Sequence, residues 1–118
     1  MSESHLKSML PAGSYAGKTV LITGGGTGLG KSVATYLASL GANIVITGRR
    51  AEVLQQTAQE MANATGAQVL AVAGDVRNIE DVERVLNESI TRFGRVDVLL
   101  NNAAGNFVSP TERLSHRA

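Results

Sequence analysis

Apolar positions fall along this chain in two alternating spacings. Short, nearly uninterrupted apolar or β-branched runs occupy Thr19–Ile22, Ile44–Thr47, Gln68–Ala73 and Val96–Leu100. Runs of that length without polar alternation predict strands covered on both faces, as in a parallel sheet. Between them the apolar residues open to helical spacing. Val33, Leu37 and Leu40 predict a helix over about Leu29–Leu40 with these three on its buried face. Val53, Leu54, Thr57, Ala58 and Met61 do the same over about Ala51–Ala64, and Ile79, Val82, Val85, Leu86 and Ile90 over the stretch before Gly94. Gly41, Gly66 and Gly94 stop the three helices. Asn78 or Arg77 starts the third, with Glu80 and Asp81 in the first turn, where negative charge suits the helix dipole.

This β-α-β-α-β-α-β alternation with short connections requires parallel strands and right-handed crossovers. Winding outward from the first strand and then crossing to its other side gives the order 3-2-1-4. The expected fold class is therefore α/β, a Rossmann-type doubly wound parallel sheet. Residues 1–17, mixed polar with Pro11, Gly13 and Gly17, predict a lead-in segment with a short helix near His5–Leu10, ahead of a half-domain over 18–118.

Ligands of such sheets bind beyond the carboxyl ends of the strands, at the point where the winding reverses. The turns at Gly24–Gly30, Gly48–Arg50, Gly74–Arg77 and Asn101–Phe107 all fall on that edge. The first places five glycines within seven residues, directly between a strand and a helix. Glycine at Gly24, Gly28 and Gly30 permits a sharp turn, close approach of backbone N–H groups to a diphosphate, and tight packing of helix on strand. The helix start itself favours an anion. The spacing Thr23-Gly24-x-x-x-Gly28-x-Gly30 is one residue wider than the ordinary Gly-x-Gly-x-x-Gly dinucleotide fingerprint.

After the second strand, NAD-binding sheets present an acidic residue to the ribose 2′-hydroxyl. Gly48 stands there instead, followed by Arg49 and Arg50. A bidentate donor for a 2′-phosphate replaces a group that would repel one, so NADPH is expected over NADH. Asp75 can accept from the exocyclic amine of adenine or start the turn into the third helix, and Val76 can pack on the ring. Arg77 reaches substrate phosphates or lies solvated. Asn101 and Asn102 end a buried strand whose backbone groups need partners, a structural role. Ala103, Ala104 and Gly105 leave room for a flat ring, and Asn106, Phe107 and Ser109 stand at the pocket mouth.

Composition narrows the chemistry further. The 118 residues contain no cysteine, which removes disulfides, thiolate catalysis and cysteine-bound metals. His5 and His116 lie in terminal segments away from any carboxylate cluster, so no metal site is expected. A net charge of +1 with scattered basic residues implies no nucleic-acid or membrane partner. With no run of transmembrane length and no secretion-signal layout, a cytoplasmic protein is the expectation.

Together, Thr23–Gly30, Asp75-Val76 and Asn101-Asn-Ala-Ala-Gly105 resemble the short-chain dehydrogenase/reductase family over the whole chain. Met9-Leu-Pro11, Gly17-Lys18, Ile22–Lys31 and the long run Asn101–Ser115 resemble most its branch of NADPH-dependent 2,4-dienoyl-CoA reductases. That resemblance implies NADPH held by Gly24, Gly25, Gly26, Thr27, Gly28, Leu29, Arg49, Asp75, Val76, Asn102 and Ala103. It implies an acyl-CoA thioester substrate met by Arg49, Arg77, Phe107 and Ser115, with Asn106 as the catalytic hydrogen-bond donor to the thioester oxygen. It also implies reduction of a dienoyl-CoA in fatty acid β-oxidation and, at full length, a homo-oligomer. The family's Tyr-x-x-x-Lys pair has no counterpart here, because Tyr15 is followed four residues on by Thr19 and Tyr36 by Leu40. The implied reading is an amino-terminal half, inactive alone, whose fourth strand presents an open edge. A non-catalytic NADP(H)-binding module and a 3-oxoacyl thioester reductase are the competing readings.

Overall fold

Period-two alternation decides which side of the sheet each strand residue serves, and two apolar layers result. The computed structural model describes residues 13–102 and 107–110, the last four as backbone only. The strands are β1 (Thr19–Thr23), β2 (Asn43–Gly48), β3 (Val69–Ala73), β4 (Val98–Asn101) and β5 (Phe107–Pro110), and the helices α1 (Gly28–Ser39), α2 (Ala51–Thr65) and α3 (Ile79–Phe93). On one side Val20, Ile22, Ile44 and Ile46 pack with Ala34 and Ala38 of α1 and with Leu54, Ala58 and Met61 of α2. On the other, Leu21, Val45 and Val72 pack with Val85 of α3. Burial on both faces explains why the strands carry no polar alternation.

Sheet order is β3-β2-β1-β4-β5. The first four strands are parallel in the order 3-2-1-4, with Ile22 opposite Ile46 on one side and Leu100 on the other. A carboxylate secures the β1–β4 entry. Asp97 Oδ2 accepts from the Thr19 N–H at 2.8 Å while the Asp97 N–H donates to the Thr19 carbonyl at 2.8 Å. Arg95 Nε donates to Asp97 Oδ1 at 2.8 Å. Burial pushes the Asp97 carboxyl up, but the hydrogen bonds from Thr19 and Arg95 outweigh it and hold the group below its ordinary range.

Three expectations are corrected. Of the expected face Leu40, the C-cap of α1, is buried, but Val33 and Leu37 are only half-buried, and the helix itself buries Gly30, Ala34 and Ala38. Small residues let α1 lie close on the sheet, so its larger side chains sit on the flanks. In α3 the buried positions are Val85 and Ser89, whereas Ile79 and Ile90 are 61% and 50% exposed. Last, the fourth strand is not an open edge. β5 pairs antiparallel with it, Phe107 opposite Asn101 and Pro110 opposite Val98, and satisfies backbone groups that an edge strand leaves bare. Phe107, expected in the turn after the fourth strand, therefore opens β5.

Asn78 is the N-cap of α3, its Oδ1 accepting from the N–H groups of Glu80 at 2.9 Å and Asp81 at 3.3 Å. Among the described residues no helix is long and apolar enough to cross a membrane, and no group of His, Cys, Asp and Glu could hold a metal. The calls on residues 1–12 lie outside the described residues.

Candidate functional site

The carboxyl ends of β1 to β4 bring three of the four marked turns to one edge. At its centre is the glycine turn between β1 and α1. Gly24 and Gly28 take φ of +67° and +60°, backbone that side chains with a Cβ rarely adopt. Gly25 lies against β2, where a Cβ would come within 2.6 Å of Ile46 Cγ2. At Gly30 a Cβ would meet the Gly24 carbonyl oxygen at 2.2 Å and Asn102 Nδ2 at 2.9 Å. The turn is thus pressed on strand and helix from both sides, while nothing lies within 4 Å of a Cβ built at Gly28.

Hydrogen bonds fix the turn's peptide units from three other elements. The Gly24 N–H donates to the Thr47 carbonyl at 2.8 Å. Asn102 Nδ2 donates to the Gly24 carbonyl at 3.3 Å, and Thr57 Oγ1 on α2 donates to the Gly26 carbonyl at 2.7 Å. Thr23 Oγ1 donates to Asn101 Oδ1 at 2.7 Å. Both asparagines therefore do structural hydrogen bonding where β4 ends. Thr27 is the N-cap of α1, yet its side chain makes no capping bond, and the first turn holds no acidic residue. The other two helices differ, with Glu52 in the first turn of α2 and Glu80 and Asp81 in that of α3. The positive end of α1 thus has neither a side-chain cap nor a carboxylate of its own first turn beside it.

A groove of about 320 Å³ runs from this turn along the seam of α1 and α2, lined by Gly26, Thr27, Gly28, Lys31, Gln56 and Glu60 among others. Lys31 Nζ and Gln56 Nε2 donate to the two Glu60 oxygens at 3.0 and 3.2 Å. The Lys31 bond, then the Gln56 bond, lowers the Glu60 pKa. Arg49 and Arg50 follow β2 and are exposed. Arg49 lies close enough to Asp75 to favour its ionised form.

Asp75 and Val76 line a mostly apolar cavity of about 210 Å³, together with Thr23, Thr47, Leu99 and Asn101 at the strand ends. The Asp75 carboxylate is not free. Arg77 Nε and its backbone N–H donate to Oδ1 at 3.1 and 2.9 Å, and Arg77 Nη2 to Oδ2 at 3.0 Å. The guanidinium bond above all, then the backbone bond, pulls the Asp75 pKa down to about 2. Arg77 is thus tied back onto Asp75, not simply solvated. Asp81 Oδ2 accepts from the Asp75 N–H at 2.8 Å, tying this turn to α3.

Ala103, Asn106 and Ser115 lie outside the described residues, and only the backbone of Phe107 is described. The brought-together set is the glycine turn, Arg49, Asp75, Val76, Arg77 and Asn102. Sequence reasoning passed over Thr57, which it counted within an apolar face. The signal was there: a hydroxyl among Leu54, Ala58 and Met61 must find a buried partner.

Parallel order 3-2-1-4, a glycine turn clamped at the switch point and an uncapped helix start define a dinucleotide-binding α/β unit of Rossmann type. The family described as short chain dehydrogenase matches residues 18–118, and the chain belongs to it. It is 46% identical over 110 residues to an uncharacterised oxidoreductase of Caenorhabditis elegans, covering 92% of this chain and 35% of that protein. It is 44% identical over 111 residues to a probable 2,4-dienoyl-CoA reductase of the same organism, covering 93% and 36%. The crystal structure of L-sorbose reductase from Gluconobacter frateurii, complexed with NADPH and L-sorbose, superposes with a TM-score of 0.72 at 37% identity, over 74% of this chain and 33% of that one. The chain thus spans about a third of the length of the curated relatives it matches.

Proposed function

We propose that this chain is the NADPH-binding part of a 2,4-dienoyl-CoA reductase. Two features support the reading. Gly48-Arg49-Arg50 ends β2 where an acidic residue would select NADH, and 44% identity links the chain to a probable reductase of that kind. The residues present fit the cofactor, since Gly28 takes a φ of +60° and nothing lies within 4 Å of a Cβ built there, so the backbone of the turn is open to a diphosphate.

NADPH, when bound, supplies the hydride that reduces a conjugated dienoyl thioester, and a proton completes the product. This chain's residues bind and orient. Gly24, Gly25, Gly26, Thr27, Gly28 and Leu29 wrap the diphosphate, Arg49 pairs with the 2′-phosphate, and Asp75 with Val76, Asn102 and Ala103 border the adenine and the ribose. On the substrate side, Arg49, Arg77, Phe107 and Ser115 hold the acyl-CoA. Asn106 donates to the thioester oxygen as it gains charge, where a fixed donor lowers the barrier most.

Cofactor choice is tested with Arg49→Ala. One lost charge-assisted contact of roughly 1.5–3 kcal/mol weakens NADPH by about ten- to a hundredfold and leaves NADH unchanged. Equal loss for both cofactors overturns the assignment. Substrate choice is tested by following NADPH oxidation with a 2,4-dienoyl-CoA and with a 3-oxoacyl-CoA, using this chain plus the carboxyl-terminal portion of a dienoyl-CoA reductase. Oxidation with the dienoyl-CoA supports the reading, and oxidation with the 3-oxoacyl-CoA alone overturns it.

A further inference from the structure

We propose that Thr57, on α2 and outside the glycine turn, is a positioning residue that aims the Thr27 N–H at a phosphate of the bound dinucleotide. The inference rests on the NADPH reading above and adds to it a residue that the turn motif does not contain.

Thr57 is 4% exposed, and its hydroxyl donates to the Gly26 carbonyl at 2.7 Å. The Gly26 carbonyl and the Thr27 N–H belong to one peptide unit. A planar trans peptide points them in opposite directions, and no cis bond occurs among the described residues. A hydroxyl that draws the Gly26 oxygen down onto α2 therefore turns the Thr27 N–H away from α2, out of the protein. Gly26 would otherwise let this peptide flip more easily, because glycine does not restrict the ψ that turns it. The surroundings reinforce the arrangement: a Cβ at Gly26 would lie 3.3 Å from both Leu54 Cδ2 and Val53 Cγ1, so the turn rests directly on α2. Thr27 is also the N-cap of α1, so its N–H directly precedes the helix's first N–H groups in the chain. Preorganised donors bind an anion more tightly than ones that must first be turned.

The test compares Thr57→Val, which keeps the shape and removes the donor, with Thr57→Ser, which keeps the donor. NADPH binding is read by titration, and amide shifts of Thr27 and Leu29 by NMR. Thr57→Val is expected to weaken NADPH about tenfold, the size of one hydrogen bond to a charged group, and Thr57→Ser to restore it. In the unaltered chain the Thr27 amide is expected to shift downfield on adding NADPH, and in Thr57→Val that shift is lost while Leu29 still moves. Unchanged affinity in Thr57→Val, or equal loss in both variants, overturns the proposal. Should Thr57→Val not fold, the unaltered chain decides: a Thr27 amide that stays still while Leu29 moves overturns it. Failure of the unaltered chain to saturate with NADPH overturns the dinucleotide reading itself, and this proposal with it.

Discussion

Alanine at Gly30 separates helix propensity from site geometry, because the two predict opposite signs. Gly30 lies in the first turn of α1, with helical backbone and full burial. On propensity alone, Gly30→Ala stabilises a helix interior by about 1 kcal/mol. The packing says otherwise. The added Cβ would stand 2.2 Å from the Gly24 carbonyl oxygen and 2.9 Å from Asn102 Nδ2. The first contact is roughly 1 Å too short, and it is with backbone, which cannot rotate away as a side-chain tip can. Relief requires α1 to lift from β1 or the glycine turn to shift, and overpacking of this sort costs about 1–3 kcal/mol or more. After subtracting the propensity gain, a loss of up to about 2 kcal/mol remains, which lowers the melting temperature of a domain this size by up to roughly 10 °C. The same displacement spoils the anion cradle, so NADPH affinity falls further than stability does. Thermal unfolding followed by circular dichroism, together with NADPH titration at a temperature where both proteins are folded, measures the two effects. A Gly30→Ala protein that melts at or above the parent and binds NADPH equally well refutes the claim that this glycine holds helix against turn.

Two further outcomes follow from the carboxylates. Asp97→Ala leaves the fully buried Thr19 N–H without its partner and should cost about 1–3 kcal/mol in urea unfolding. Because the folded pKa of Asp97 is depressed, its contribution is present above the unfolded value and lost as pH falls through the folded one. The stability gap between parent and variant should therefore narrow only below about pH 4. A gap that stays constant from neutral pH down to pH 2 contradicts this. Arg77→Ala removes the main cause of the low Asp75 pKa, so the carboxyl titration midpoint, read by NMR, should rise from about 2 toward the ordinary value. A midpoint that does not move shows that Arg77 is not what holds it.

Element type was legible because strand and helix spacings are local properties of the chain. Ile44–Thr47 could hardly be anything but a doubly buried strand, and Gly66 and Gly94 stop α2 and α3 as expected, with left-handed backbone at both. The glycine turn, Arg49, Asp75 and Asn102 were readable for the same reason, since each follows a strand end and the winding rule places strand ends on one edge.

Four features were decided only in three dimensions. Which face of α1 is buried depends on how closely the helix approaches β1, and that distance is set by Gly30 against the Gly24 carbonyl, not by where large apolar residues recur. That Arg77 lies on Asp75, and that Thr57 reaches the Gly26 carbonyl 31 positions away, depends on rotamers and on packing between elements. The antiparallel β5 beside β4 came from the need of edge backbone groups for partners, a demand that any compatible segment can meet. Local periodicity and turn chemistry thus fixed the elements and the edge on which a ligand belongs. Side-chain bonds across elements, which depend on distances no linear pattern encodes, determined how the site's donors are aimed.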